Sequence, residues 1–183
     1  LQYFQGNSIL DFTVKISNSE YVCFQHIGIK RDTGNCPFFI EQSNNISISN
    51  CVLSGNNSVK IESGSEHIVI SNNYFEENYS DLICIEGGIG EMIQHIEIHN
   101  NVLPGSSGKS IELSYVNNVE ISNNHINNFA QAIDIEHSNN VLIEYNTIEN
   151  GYGFGLEISS NFPQTNMFIV GNKITGVSNA DGI

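Results

Sequence analysis

Ile68-Val-Ile-Ser-Asn-Asn-Tyr-Phe75, Ile96-Glu-Ile-His-Asn-Asn-Val-Leu103 and Val119-Glu-Ile-Ser-Asn-Asn-His-Ile126 are three copies of one phrase. Weaker copies begin at Ile46, Val141 and Met167, and a degenerate one at Val22. Successive copies start 24, 22, 28, 23, 22 and 26 residues apart. A repeat of this period, made of alternating β-branched residues and closed by Asn, marks a solenoid of stacked coils.

Each repeat holds three short alternating stretches, as in Ile133-Asp-Ile135, Val141-Leu-Ile143 and Thr147-Ile148. Asn, Gly and Ser separate them, and no window carries a helical stripe. One coil cannot bury its apolar face alone. Stacking coil on coil pairs each strand with its counterpart about 4.8 Å away and fills a continuous interior with Ile, Val, Leu and Phe. The pattern therefore predicts an all-β chain: a single-stranded parallel β-helix of about seven coils with three parallel sheets. Asn73, Asn101, Asn124, Asn146 and Asn172 share one column. Asn suits a left-handed turn, and stacked side-chain amides can bond rung to rung. Cys51 and Ile27 hold that column in the earlier repeats, so a ladder is expected to begin at Asn73.

The phrase resembles the repeat of the right-handed, pectate-lyase-like parallel β-helix superfamily, from about Val14 to Ile183. The resemblance implies the fold and a right-handed winding. It also implies a sugar-binding groove on the sheet built from the first strands. It does not select an activity, because one fold hosts many. The Asn-Thr-Asp, Asp-Asp and Gly-His-Gly set of polygalacturonase-like hydrolases is absent, as is the Asp-Pro-His-Glu motif of alginate epimerases. Arg31 is the sole arginine, which rules out an arginine-rich lyase site within this segment.

The 183 residues fit a single β-helix domain spanning 1–183. Both ends look uncapped, so the expectation is a segment of a longer protein, covered by further coils or a capping domain. Residues 1–8 read as a partial coil or a tag remnant, since Tyr3-Phe4-Gln5-Gly6 matches the end of a tag-cleavage site. No apolar run reaches membrane-spanning length. Six Lys and Arg against 20 Asp and Glu give a net charge of −14. That repels nucleic-acid phosphates and suits neutral sugars or divalent cations. Cys23, Cys36, Cys51 and Cys84 lack metal-like spacing and are expected as free thiols.

Aligning the first strands gives inward pairs Val14/Ile16, Phe38/Ile40, Val59/Ile61, Ile83/Ile85, Ile111/Leu113, Ile133/Ile135 and Leu156/Ile158. The outward column between them runs Lys15, Phe39, Lys60, Cys84, Glu112, Asp134, Glu157. The next runs Ser17, Glu41, Glu62, Glu86, Ser114, Glu136, Ser159. Together they predict an acidic strip, densest at Glu86, Glu112, Asp134, Glu136 and Glu157. Carboxylates one rung apart stand about 5 Å apart and two rungs apart about 9.6 Å, which brackets the separations used in retaining and inverting glycoside hydrolysis. Glu112, Asp134 and Glu157 are the candidate acid, base or nucleophile. Crowding is expected to raise the pKa of one of them, as an acid catalyst requires. A second chemistry places Ca²⁺ on Glu112, Asp134 and Glu136, with Lys60 or His137 as the base of a lyase.

Two turns are long: Glu86 to Ile96, through Gly87-Gly-Ile-Gly-Glu-Met-Ile-Gln-His95, and Ser160 to Asn166. They are expected to wall the strip. Tyr115, Tyr152, Phe154 and Phe162 lie in turns nearby, where rings can stack on sugars. Glu86, Glu136, His137, Tyr115 and Lys60 are the candidate substrate-binding residues. His67 and His95 share a column and are expected to stack, without the further ligands zinc needs. The sequence thus leads to a secreted or cell-surface carbohydrate-active β-helix that cleaves glycosidic bonds, hydrolase before lyase. The alternative is a non-catalytic spike, adhesin or binding module.

Overall fold

The computed structural model describes residues 2–5, 9–31, 36–160 and 163–178. Gly6, Phe162 and residues 179–183 therefore lie outside the described residues. Among the described residues there are 21 strands and no helix, so none is available to cross a membrane. Every strand pairing is parallel, and strands pair with their counterparts one coil away. The chain forms a solenoid of about seven coils.

The first strands form one row: Val14–Ser17, Phe38–Glu41, Val59–Glu62, Ile83–Glu86, the later parts of Val102–Ser114 and His125–Glu136, and Leu156–Ser159. The second row contains Glu20–Gln25, Asn44–Ser49, Glu66–Ser71, Ile93–His99, Val116–Ser122, Asn139–Glu144 and Met167–Val170. The third runs from Ile9–Leu10 to Lys173–Thr175. The three faces hydrogen-bond as two sheets, of eight and 13 strands, rather than three. The reason is local. Val102–Ser114 and His125–Glu136 turn the corner between the third and first rows without breaking their ladder, leaving only an irregularity between Ser106 and Lys109.

Inward residues of the first row from Ile16 to Leu156 bury against those of the other rows, with Ile61, Ile83, Ile111, Ile133 and Ile135 fully enclosed, whereas Val14 is partly buried and Ile158 is exposed. Phe38, Phe75 and Phe129 are the largest fully enclosed side chains, and Phe24 meets Phe38 edge-on at 4.9 Å. Burying one such side chain stabilises the fold by about 1.5–3 kcal/mol. The stack of coils is therefore the main source of stability.

The Asn-Asn pair divides two tasks. Asn72, Asn100 and Asn123 take φ of 56°, 57° and 56°, the left-handed angles that Asn tolerates. The second Asn of each pair points inward instead. Asn73 Nδ2 donates to Asn101 Oδ1 (3.1 Å), Asn101 to Asn124 (3.0 Å), Asn124 to Asn146 (3.0 Å) and Asn146 to Asn172 (2.9 Å). Each Oδ1 also accepts the preceding rung's backbone N–H, including that of Cys51. The ladder starts at Asn73, as expected. The left-handed turn belongs to the residue before it, a correction to the sequence reading. Its cause is geometric: a buried side chain cannot also sit at the exposed apex of the corner.

Candidate functional site

Register confirms the columns read from sequence. Cys84 pairs with Lys60 and Glu112, Glu112 with Asp134, and Asp134 with Glu157. Glu86 pairs with Glu62 and Ser114, and Glu136 with Ser114 and Ser159. Glu112, Asp134 and Glu157 thus occupy consecutive rungs of the first-row outer face.

Their environments differ from a bare acidic strip, because three of the chain's six cations stand on this face. Lys15 Nζ lies 2.9 Å from Glu41 and over the Phe39 ring. Lys60 bridges Glu62 (3.3 Å) and Glu86 (3.2 Å). Lys109 reaches both Glu112 (2.5 Å) and Asp134 (2.6 Å). These pairs offset the repulsion that stacked carboxylates would otherwise suffer.

Lys109 holds the centre. The side chain of Asp134 is 3 % exposed, against 22 % for Lys109 and 19 % for Glu112. Oδ1 of Asp134 is buried without a hydrogen-bond partner, so the carboxylate depends on its pairing through Oδ2. One rung on, Gln131 Nε2 donates to Glu157 Oε2 at 2.5 Å. Gln131 and Lys109 are themselves register partners, so one corner position supplies a cover for all three acids. The sequence reading missed both residues. The available signal was that Lys109, one of only six cations, precedes Glu112 by three residues.

Burial by itself raises the Glu112 carboxyl, but hydrogen bonds from Lys109 and Cys84 outweigh it and hold it below the usual range. Burial would also pull Lys109 down, yet its bonds to Asp134 and Glu112 push it up and keep it charged. Asp81 completes the cluster. It accepts the Lys109 backbone N–H at 2.6 Å, and burial raises its carboxyl. The carboxyl group held toward its protonated form is therefore Asp81, and Glu112 is held ionised. The raised carboxyl thus lies outside the predicted set, and burial rather than crowding is its main cause.

Lys60 does not present a free amine. Burial opposes its charge, but Glu86 and Glu62 raise its pKa, which disqualifies it as a base near neutrality. The Ca²⁺ set also fails to assemble. The Lys109 ammonium sits between Glu112 and Asp134, filling the place a cation needs, and Glu136 faces His137 at 3.9 Å instead. Asp81, Cys84 and Glu112 do bring their ligand atoms within 4.8 Å of one another. However, burial pushes the Cys84 thiol far up and it lies 3.3 Å from Glu112 Oε2 as a donor. A protonated thiol is a poor metal ligand.

Beside the strip, Tyr115 and His137 stack with ring centroids 4.7 Å apart and planes 7° apart. They take left-handed angles (φ 51° and 50°) on adjacent coils, just past Ser114 and Glu136. The rings line a groove of about 500 Å³ with Gln94, Asn117 and Asn139. Ile89, Gly90 and Met92 of the first long turn and Pro163 of the second also line it. The two insertions wall this groove, none of whose lining residues is a carboxylate of the strip they were expected to border. The first is shorter than its predicted span, because Ile93 already pairs with Val116 and is fully buried. A small bridge between Gly88 and Glu91 folds it back on itself. Gly87 permits its close approach, since a Cβ there would fall 2.3 Å from the Tyr115 carbonyl oxygen. Tyr152 and Phe154 are exposed on the turn before Leu156–Ser159 and do not line the groove.

The A-module of Azotobacter vinelandii mannuronan C-5 epimerase AlgE6 superposes with a TM-score of 0.55 at 15% identity, covering 90% of this chain. The corresponding module of AlgE4 gives 0.44 at 13% identity, covering 93% of this chain. This chain spans 61% and 56% of those two modules. No curated protein matches its sequence. The model of the right-handed β-helix region matches residues 3–183. On that match, and on the parallel coils described above, the chain belongs to the right-handed β-helix family.

Proposed function

We propose that the chain is a carbohydrate-active β-helix that cleaves glycosidic bonds of a neutral polysaccharide on its first-row face. The observation that carries the proposal is the pairing of Glu112 and Glu157. They sit two rungs apart, half-buried on one outer face, and each is held by a side chain from the neighbouring corner. Two rungs correspond to about 9.6 Å, close to the upper end of the inverting separation. Asp134, between them, serves to hold Lys109. The Tyr115–His137 groove lies three residues on from Glu112 and Asp134, at the corner with the second row, and supplies stacking and amide contacts for neighbouring sugars. One ammonium against Glu112 and Asp134 leaves the centre net negative, which disfavours a uronate and favours a neutral chain. One solved neighbour, the AlgE6 A-module, is named as a mannuronan C-5 epimerase, which supports a glycan as the ligand but not its neutrality.

A non-catalytic glycan-binding module is the second reading. The pairing of Asp134 with Lys109, which withdraws one carboxylate from any substrate, favours it. Isothermal titration with neutral and anionic hexasaccharides tests the glycan half of the proposal. Binding of a neutral chain, weakened at least tenfold in His137→Ala, is expected. Equal binding by wild type and His137→Ala, or binding of uronates alone, contradicts it.

A further inference from the structure

A second groove runs along the outer face of the second row. It encloses about 580 Å³, within the range of ligand sites. Its wall is a column of five residues on consecutive rungs: Asn45, His67, His95, Asn118 and Asn140. All five take left-handed angles, with φ between 52° and 58°. Its floor is the outward column Ser47, Val69, Glu97, Glu120 and Leu142, which the strand register places rung over rung.

At this corner only Asn is needed for the backbone angle, yet two rungs carry His. Their rings stack with centroids 4.5 Å apart and planes 1° apart. Parallel rings at that spacing point their nitrogens side by side rather than toward one metal ion, so the pair is not a zinc site. It is a flat aromatic surface flanked by amides.

We propose that this groove binds an extended neutral glycan, at a site separate from the first-row face. Three features choose that ligand. The wall repeats a polar side chain at every rung, about 4.8 Å apart, a spacing close to one pyranose ring. Over its five rungs the groove spans about 19 Å. The floor mixes hydroxyl and carboxylate acceptors (Ser47, Glu97, Glu120) with the apolar Val69 and Leu142, matching hydroxyls and C–H faces of a sugar chain. The lining contains no Lys or Arg, and Glu97 and Glu120 repel phosphate, sulfate and uronate polymers. An extended peptide is disfavoured as well. The strands beneath are already paired on both sides, leaving no backbone edge for strand addition.

The test uses the whole chain and NMR of the histidine ring protons. The probes are linear hexasaccharides of β-1,4-linked glucose, mannose and xylose, with a hexauronate as the anionic control. At least one neutral chain is expected to shift the His67 and His95 resonances. The double variant His67→Asn/His95→Asn, which copies the residue of neighbouring rungs and so preserves the corner, is made in a His137→Ala background and read by isothermal titration; it is expected to bind that chain at least tenfold more weakly than His137→Ala alone. Val69→Arg in the same background, an outward substitution that fills the floor, is expected to do the same. His137→Ala is expected to leave the His67 and His95 response intact, which separates this site from the first-row groove. The proposal is overturned if no neutral hexasaccharide moves these resonances at millimolar concentration. It is also overturned if the hexauronate binds equally well, or if the folded variants bind as tightly as His137→Ala alone.

Discussion

Lys109 crosses from its own coil to Asp134 on the next, placing Nζ 2.6 Å from Oδ2 of a carboxylate whose side chain is 3 % exposed. Removing one member of a buried pair strands the other charge, whereas replacing both with apolar groups does not. Lys109→Met is therefore expected to destabilise the fold by about 3 kcal/mol. Lys109→Met/Asp134→Leu is expected to recover most of that loss. Urea unfolding of the single and double variants measures both. A Lys109→Met change within about 0.5 kcal/mol of wild type contradicts the pairing.

The two members of each Asn-Asn pair predict unequal costs. Asn124→Ala removes the acceptor of the Asn101 backbone and side-chain N–H groups and the donor to Ile98 O. Leaving such groups buried and unpaired costs about 1–3 kcal/mol each, so a loss of about 3 kcal/mol or more is expected. Asn123→Ala loses only the tolerance of φ 56°, about 1–2 kcal/mol. Thermal unfolding of both variants checks the order. A larger loss at Asn123 reverses the assignment.

Asp81 and Glu112 make opposite contributions to stability as pH changes. The folded pKa of Asp81 is raised above 3.8 by burial, so the folded state holds its proton longer and loses stability as pH rises through that window. Asp81→Asn keeps an oxygen for the Lys109 N–H and is expected to raise Tm at pH 7, with the gain fading below about pH 4. Although burial works against it, Lys109 holds the folded pKa of Glu112 below 4.5. Its stabilisation is present above 4.5 and is lost as pH falls through the lowered folded value. Glu112→Gln is expected to lower Tm at pH 7 and to converge with wild type in acid. Calorimetry from pH 3 to 8 distinguishes the two trends, and parallel curves for both variants contradict them.

None of the four cysteines is bridged, and burial pushes the Cys51 and Cys84 thiols up. Thiolate, not thiol, reacts. Iodoacetamide at pH 8 is expected to leave Cys51 and Cys84 unmodified in the native protein and to alkylate them after unfolding, as read by mass spectrometry. Rapid native labelling of Cys84 contradicts its burial beneath the Glu112 cluster.

Much of this architecture could be read from the sequence because a solenoid converts a period into a register. Once Ile83, Ile111, Ile133 and Leu156 align, their outward neighbours Cys84, Glu112, Asp134 and Glu157 are fixed as a column. What surrounds that column was harder to read. Lys109 and Gln131 lie at the corner, where Val102–Ser114 and His125–Glu136 carry an irregularity in their pairing, so no alternation predicts which way they point. For the same reason the burial of Asp134 was not visible, since an outward strand position normally meets solvent. The turn walls were legible as length alone. The residues that line the groove, Ile89, Met92 and Pro163, emerge only when the loops fold back over Tyr115 and His137.

The most direct test of the account is turnover of a neutral glycan by the whole chain and by Glu112→Gln and Glu157→Gln, each verified as folded. Loss of a positioned acid or base costs about 10²–10⁴ in rate, so both variants are expected to fall at least a hundredfold below a wild type that releases new reducing ends. Wild-type turnover that survives undiminished in both variants, or a neutral glycan that binds this face and is never cleaved, contradicts catalysis there.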